Sequence, residues 1–254
     1  MDVYLVGLLW VLGAAVVAGV AAYVVRRIGE TDGIVENNEA AGQVFTIVGG
    51  LHAVLIAFVL ISLFDAAGAA EDDAFKEADG LVAAYWATEA LGEPARSEMH
   101  DLAVSYATRV VEQEWPTMQQ GSGDVGDDGW AELERMRSVV AHASVTEFWQ
   151  NDQKTDAAGK LWEVYQARQA RLDAAGSEGV KTVVWFALIA GSLMSIALPL
   201  VFGGPRPRIH IFIVSVLAGT LALLLYATAQ LQNPYGGGSA IEPEPFEAAI
   251  ARLQ

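Results

Sequence analysis

The chain contains no cysteine, which excludes disulfides, thiolate metal sites and cysteine nucleophiles. Its four histidines, His52, His100, His142 and His210, are scattered, with no His-Glu-x-x-His arrangement and no paired spacing of a metal site. A Walker-type loop, a Gly-x-Ser-x-Gly elbow and a dinucleotide fingerprint are missing too, and Gly236-Gly237-Gly238 has no lysine after it. No enzymatic activity, cofactor or metal is therefore expected. Positive charge is scarce: 15 Lys and Arg, only four of them lysine, stand against 31 Asp and Glu, for a formal net charge of −16. An acidic surface repels nucleic acid, so that class of partner is excluded. Few lysines with abundant Ala, Gly and Asp point to a prokaryotic source.

Long apolar runs are what the chain has instead. Hydrophobic residues make up 53% of the 254 positions, and the mean hydropathy is +0.33, too low for a chain wholly within lipid. Residues 4–25, 44–64, 182–202 and 209–231 are each long and apolar enough to span a bilayer. The first is preceded by Asp2 and followed by Arg26-Arg27, the reverse of a secretory signal, and is expected to be a retained helix. Its Ala14, Ala18 and Ala22, with Ala15 and Gly19, make a small-residue face that another helix can approach closely. Residues 26–43 form a connector, and residues 203–208 a tight basic turn joining the third and fourth spans.

Between the second and third spans, Ala70 to Lys181 carry 22 Asp and Glu against 10 Lys and Arg, so residues 65–181 are the part outside the lipid. Their periodicity is helical. Phe75, Ala78, Val82 and Tyr85 form one apolar stripe; Met99, Leu102, Tyr106 and Val110 form another after the Gly92-Glu93-Pro94 break. Glu114-Trp115-Pro116 is expected to end that helix, with a flexible loop from Gly121 to Gly129. Trp130, Leu133 and Met136 open a third stripe, and Leu161, Val164, Tyr165, Arg168 and Leu172 mark a last helix. The fold class expected is all-α: four transmembrane helices per subunit, an extramembrane antiparallel helical bundle inserted between the second and third, and an oligomeric assembly. In the tail, residues 232–254, the amphipathic stretch Phe246 to Leu253 is expected to pack on the membrane surface or a neighbour.

Arg26-Arg27 and Arg206 with Arg208 flank the two short loops, which the positive-inside rule keeps cytoplasmic. That places the acidic bundle and both termini outside a prokaryotic plasma membrane, in a multi-pass arrangement.

The second span is the expected pore wall. Its pore and gate candidates are Phe45, Thr46, Gly49, His52, Ile56, Phe58 and Val59; Val54, Ile61 and Phe64 are further apolar constrictions. Which face points inward cannot be read from periodicity, because every face is apolar. His52 is open to two roles, a neutral imidazole bonded to a neighbouring helix or a pore-facing, pH-sensing group. Asp65, Glu71, Asp72 and Asp73 either repeat as acidic rings at the mouth of an assembly or solvate a helix leaving the membrane. Glu77, Glu114, Arg168 and Arg171 are expected as inter-helical ion pairs that fix the bundle's register.

Several short motifs resemble the bestrophin-like family of bacterial and plant membrane proteins. They are Glu77-Ala78-Asp79-Gly80-Leu81 with Tyr85, Tyr106 with Glu114-Trp115-Pro116-Thr117-Met118, and Arg168 with Arg171. In the tail, Asn233-Pro234-Tyr235-Gly236 stands where the family has an Asp-Pro-Phe-like turn. The resemblance implies a homo-oligomeric channel for small inorganic ions, slightly favouring anions, with a narrow apolar neck on the second membrane helix. Acidic rings argue for cations instead. A non-conducting sensor or scaffold whose bundle binds a partner is the other alternative. An outside bundle departs from bestrophins, which keep their large helical part in the cytoplasm.

Overall fold

The computed structural model describes residues 2–32, 39–202 and 207–254; Arg206 and connector residues 33–38 lie outside them. In chain order the α-helices are α1 (Val3–Asp32), α2 (Glu39–Glu89), α3 (Ala95–Arg109), α4 (Trp115–Gln119), α5 (Asp128–His142), α6 (Phe148–Ala175), α7 (Thr182–Phe202), α8 (Pro207–Gln230) and α9 (Glu244–Leu253). Among the described residues there is no strand. Four helical stretches among the described residues are long and apolar enough to cross a membrane: Val3–Ile28, Gly42–Glu89, Thr182–Leu200 and Arg208–Gln230. The connector is shorter than the sequence indicates, because α1 runs on through Arg26-Arg27 and α2 begins at Glu39.

The chain divides into two compact units. The first comprises Met1–Phe64 and Glu178–Gln232. Here α8 lies along the small-residue face of α1. Ala18 and Ala22 are buried against Val214 and Ala218, and a Cβ added at Gly19 would approach Ser215 Oγ to 2.6 Å. Small side chains let the two backbones come this close, which lipid-embedded helices exploit because apolar side chains gain nothing by leaving hydrocarbon. At the other end of the pair, the Tyr226 hydroxyl donates to the Val3 carbonyl across 2.5 Å. Ile56 of α2 packs with Leu188 of α7 and Leu221 of α8.

The second unit, Asp65–Ser177 with Asn233–Gln254, is a helical bundle around one core. Leu81, Met99, Tyr106, Met118, Met136, Val164 and Phe246 are among its fully buried side chains. The face of α2 that enters this core takes in most of the expected stripe and is broader than it. Ala70, Ala74, Glu77, Ala78, Leu81, Val82 and Ala84 are buried and Tyr85 packs partly buried against the core, so of the expected stripe Phe75 alone, at 44% exposed, turns away. Alanines allow close helix packing and Glu77 is admitted because it is paired, so small residues and one charge join Leu81 and Val82 on this face.

The helix after α3 does not stop at Glu114-Trp115-Pro116. Val110–Glu114 form a π-helical turn in which the Trp115 N–H reaches the Val110 carbonyl, and α4 continues to Gln119. Pro116 has no N–H to offer an α-helical ladder, and widening the turn just before it lets the chain carry on. The following loop is also shorter than expected, since Asp128 and Gly129 already belong to α5.

Nor does the tail turn outward. Phe246, Ala249 and Leu253 of α9 are buried in the bundle core, and the Leu253 carbonyl lies 2.9 Å from His100 Nε2. The amphipathic face finds its apolar partner within its own unit instead of on a membrane surface. Asn233 anchors the tail by donating from Nδ2 to the Met118 and Gln119 carbonyls, both at 3.1 Å, and Tyr235 and Phe246 both pack edge-on against Trp115.

Candidate functional site

Two places concentrate the residues singled out by sequence, one in each unit. In the bundle, the structure brings Glu77, Glu114, Arg168 and Arg171 together as one buried network. Arg168 donates to both Glu114 oxygens, at 2.7 and 2.9 Å. Arg171 donates to both oxygens of Glu77, at 2.6 and 3.0 Å, and to Glu114 at 2.8 Å. All four side chains are at most 1% exposed. Two carboxylates and two guanidinium groups balance, so the network carries no net charge into the core.

Helix geometry explains the meeting. Arg168 and Arg171 are three apart and share one face of α6. Glu77 projects from the alanine face of α2, and the π-helical turn carries Glu114 inward. Tyr106 completes the cluster. Its hydroxyl donates to Glu77 Oε1 at 2.5 Å and accepts from Arg168 Nη1 at 3.2 Å. Burial disfavours the Glu114 carboxylate, but bonds and charge from Arg168 and Arg171 outweigh that and hold its pKa below the ordinary value. Burial likewise disfavours charged Arg171, yet Glu77 raises its pKa. Tyr106 is pushed well above the ordinary tyrosine range, by burial first and then by the negative charge of Glu77.

Gly129 belongs to this site, although its sequence context is that of a loop. A Cβ there would collide with Arg168 Nη2 and come within 2.7 Å of Glu114 Oε1. Only glycine lets α5 pass this close to the ion pairs, and its place in the Gly-rich run GSGDVGDDG hid it. A satellite pair was also missed: Arg109 meets the buried Glu132 at 3.0 Å, with Ser105 Oγ donating to the same carboxylate at 2.7 Å. The signal present was Arg109 and Glu132 each beside an apolar stripe, at Val110 and Leu133, which does not reveal that the stripes face each other.

In the first unit, α2 has two distinct faces. His52 and Ile56 are buried: His52 Nε2 is hydrogen-bonded to Ser192 Oγ of α7 at 2.9 Å, and the imidazole lies against Gly191, where a Cβ would collide with the ring. Of the two roles open to His52, the structure places it in the bond to a neighbouring helix, on a face turned into the subunit. Phe45, Gly49 and Val59 are half-buried at its margins. The opposite face carries Leu51, Val54, Phe58, Ile61 and Phe64, each more than half exposed, with Phe58 at 68%. Thr46 is exposed and satisfies its hydroxyl on the Gly42 carbonyl at 2.9 Å. The pore candidates are thus divided between the two faces.

Of the acidic candidates, Asp65, Glu71 and Asp72 are exposed. Asp73 differs: it is half-buried and paired with Lys76 at 2.9 Å, three residues on.

No curated protein matches the chain. Among solved structures, two variants of a bacterial bestrophin homolog from Klebsiella pneumoniae are similar. One has a TM-score of 0.73 at 11% identity and the other 0.71 at 13%, each covering 96% of this chain and 97% of the other. A crystal structure described as a membrane protein aligns with a TM-score of 0.74 at 12% identity, covering 96% of both chains. At these identities the likeness is one of fold. The family model for the Bestrophin-like domain matches residues 12–246, nearly the whole chain and all of the buried ion-pair network, and the chain belongs to the Bestrophin-like family of membrane proteins.

Proposed function

We propose that the protein is one subunit of an oligomeric ion channel in which copies of α2 surround a shared axis. The observation that carries this is the face of Leu51, Val54, Phe58 and Ile61, spaced three and four apart, exposed, and opposite the face fixed to α7 by His52. Four spans leave little room for an aqueous path inside one subunit, whereas an axis shared by several copies supplies one. Family membership and the fold likeness to bestrophin homologues support the same function. Phe58 and its neighbours then form an apolar neck that gates by dewetting, and His52 serves to hold α2 on α7.

The conducted ion is a small cation. Asp65 follows Ile61 by four residues and Asp72 follows Asp65 by seven, so both stand at the helical spacing of the exposed stripe, and both are exposed. Repeated around an axis they attract cations and repel anions. Flux measured in liposomes under sodium, potassium and chloride replacement tests this. Cation flux is expected, with the cation preference falling on the order of tenfold in Asp65→Asn/Asp72→Asn, equivalent to about 1.4 kcal/mol. Chloride flux unaltered by the substitutions would restore the anion preference implied by the family, and no flux with any ion would sink the channel.

The positive-inside rule applied to Arg26-Arg27 and to Arg206 with Arg208 favours an orientation with both short loops in the cytoplasm and the acidic bundle outside the plasma membrane. Because the chain lacks cysteine, a single Asp127→Cys in the exposed loop before α5 reports this directly. Labelling by a membrane-impermeant maleimide on intact cells is expected; labelling only after lysis would invert the topology.

A further inference from the structure

A cleft of about 1020 Å³ opens between α5 and α6 in the bundle, at the upper end of the size of small-molecule sites. Along it the Trp162 and Tyr165 rings are stacked, their centroids 5.2 Å apart and their planes 4° from parallel. They remain 59% and 43% exposed, so aromatic surface beyond the stacked contact is held in fixed geometry at the cleft. Trp130 lines the same cleft, tilted against Tyr165 at 5.1 Å. It is held from within the protein: the guanidinium of Arg168, itself pinned by Glu114, lies over the Trp130 ring 4.7 Å from its centroid. A ring already polarised by a buried cation is a poor platform for a second one.

The charged side chains lining the cleft are Glu134, Arg137 and Lys154. Glu134 and Arg137 neutralise each other at 2.5 Å. Lys154 donates to carbonyls, Ala141 at 2.7 Å and Ala143 at 3.0 Å, which orient its ammonium without cancelling its charge and leave one of its three N–H groups over. The protein's overall negative charge repels anions from afar, but screening confines that field to about 8 Å at physiological salt, so Lys154 decides the local sign.

The geometry points to this cleft as a binding site for a small aromatic carboxylate, its ring system against the exposed aromatic surface of Trp162, Tyr165 and Trp130 and its anionic group at Lys154. The site is independent of whether the protein conducts ions.

The test is equilibrium binding of 2-naphthoate to the full-length protein in nanodiscs, with empty nanodiscs subtracted. Saturable binding is expected, weakened at least about tenfold by Trp162→Ala, an exposed position whose loss leaves the core intact. Lys154→Gln is expected to weaken 2-naphthoate about tenfold while leaving the neutral 2-naphthylmethanol unchanged. Absence of saturation, binding indifferent to Trp162→Ala, or tightest binding by the cationic 2-naphthylmethylammonium would overturn the assignment. A Thr155→Cys variant gives a separate readout, since the residue is exposed at the cleft. Its maleimide labelling in the assembled protein should be rapid and slowed by 2-naphthoate. Protection without the probe would mean that a second copy of the chain fills the cleft, and the proposal would fall.

Discussion

Glu114→Ala is expected to destabilise the bundle by about 3–5 kcal/mol, because it leaves a net positive charge buried in the core. The carboxylate receives three of the five guanidinium-to-carboxylate hydrogen bonds of the network, two from Arg168 and one from Arg171. Arg168 keeps no other anionic partner among its hydrogen bonds, and its Nε already has no hydrogen-bond partner. Neither guanidinium can shed its charge by losing a proton, since arginine stays protonated under all relevant conditions. Glu114→Leu combined with Arg168→Met should cost less than Glu114→Ala alone, because it removes one charge of each sign and leaves the neutral Glu77–Arg171 pair. Thermal melting in mild detergent, followed by near-ultraviolet circular dichroism, checks the order. A double variant less stable than the single one would mean that shape complementarity, and not charge balance, holds these helices.

The same carboxylate sets a pH dependence. Its folded-state pKa lies below the ordinary value of 4.5, so the unfolded chain takes up the proton first on acidification. The stabilisation it provides is therefore complete above the ordinary value and is lost as pH falls through the depressed one. Melting temperature should lose this contribution only below about pH 4.5, and Glu114→Gln, having nothing to titrate there, should show a shallower acid limb.

How far the fold is legible in the sequence depends on which residues carry the signal. The four spans are legible because hydrocarbon admits few charges over such a length, and Val44 to Phe64 contains none. The ion-pair residues are legible for a related reason: Glu77, Arg168 and Arg171 sit on or beside apolar stripes, where a charge persists only if paired. The register of α2 in the bundle is less so. A stripe drawn through Phe75 favours the largest side chain, whereas the packed face adds alanines and one paired glutamate to Ala78, Leu81 and Val82, and packing distance between helices is not written in any single helix. Gly129 is hidden for the opposite reason, since a glycine required by close approach looks in sequence like its neighbours Gly121, Gly123 and Gly126 in the loop. In the membrane part, uniform apolarity conceals which side of α2 packs inward. Gly191, on another helix far along the chain from His52, resolves it by making room for the His52 ring.

That resolution governs the prediction with the clearest functional consequence. Under the proposed arrangement Phe58, the most exposed large side chain of the α2 stripe together with Leu51, projects toward the shared axis once per subunit. An apolar constriction blocks ions because water leaves it, and the barrier falls steeply as the constriction widens. Phe58→Ala removes a phenyl ring from every copy at one level, so ion flux in liposomes should rise on the order of tenfold, a barrier lower by about 1.4 kcal/mol. His52→Ala provides the contrast. It deletes the bond to Ser192 and the ring over Gly191, so it should weaken the packing of α2 on α7 and lower the melting temperature without widening the neck. Val17→Ala, on the 70% exposed outer side of α1, should change neither quantity. If Phe58→Ala left flux at the wild-type level while His52→Ala raised it with the protein still folded, the face bearing His52 would line the path, and the assignment of α2's two faces would have to be exchanged.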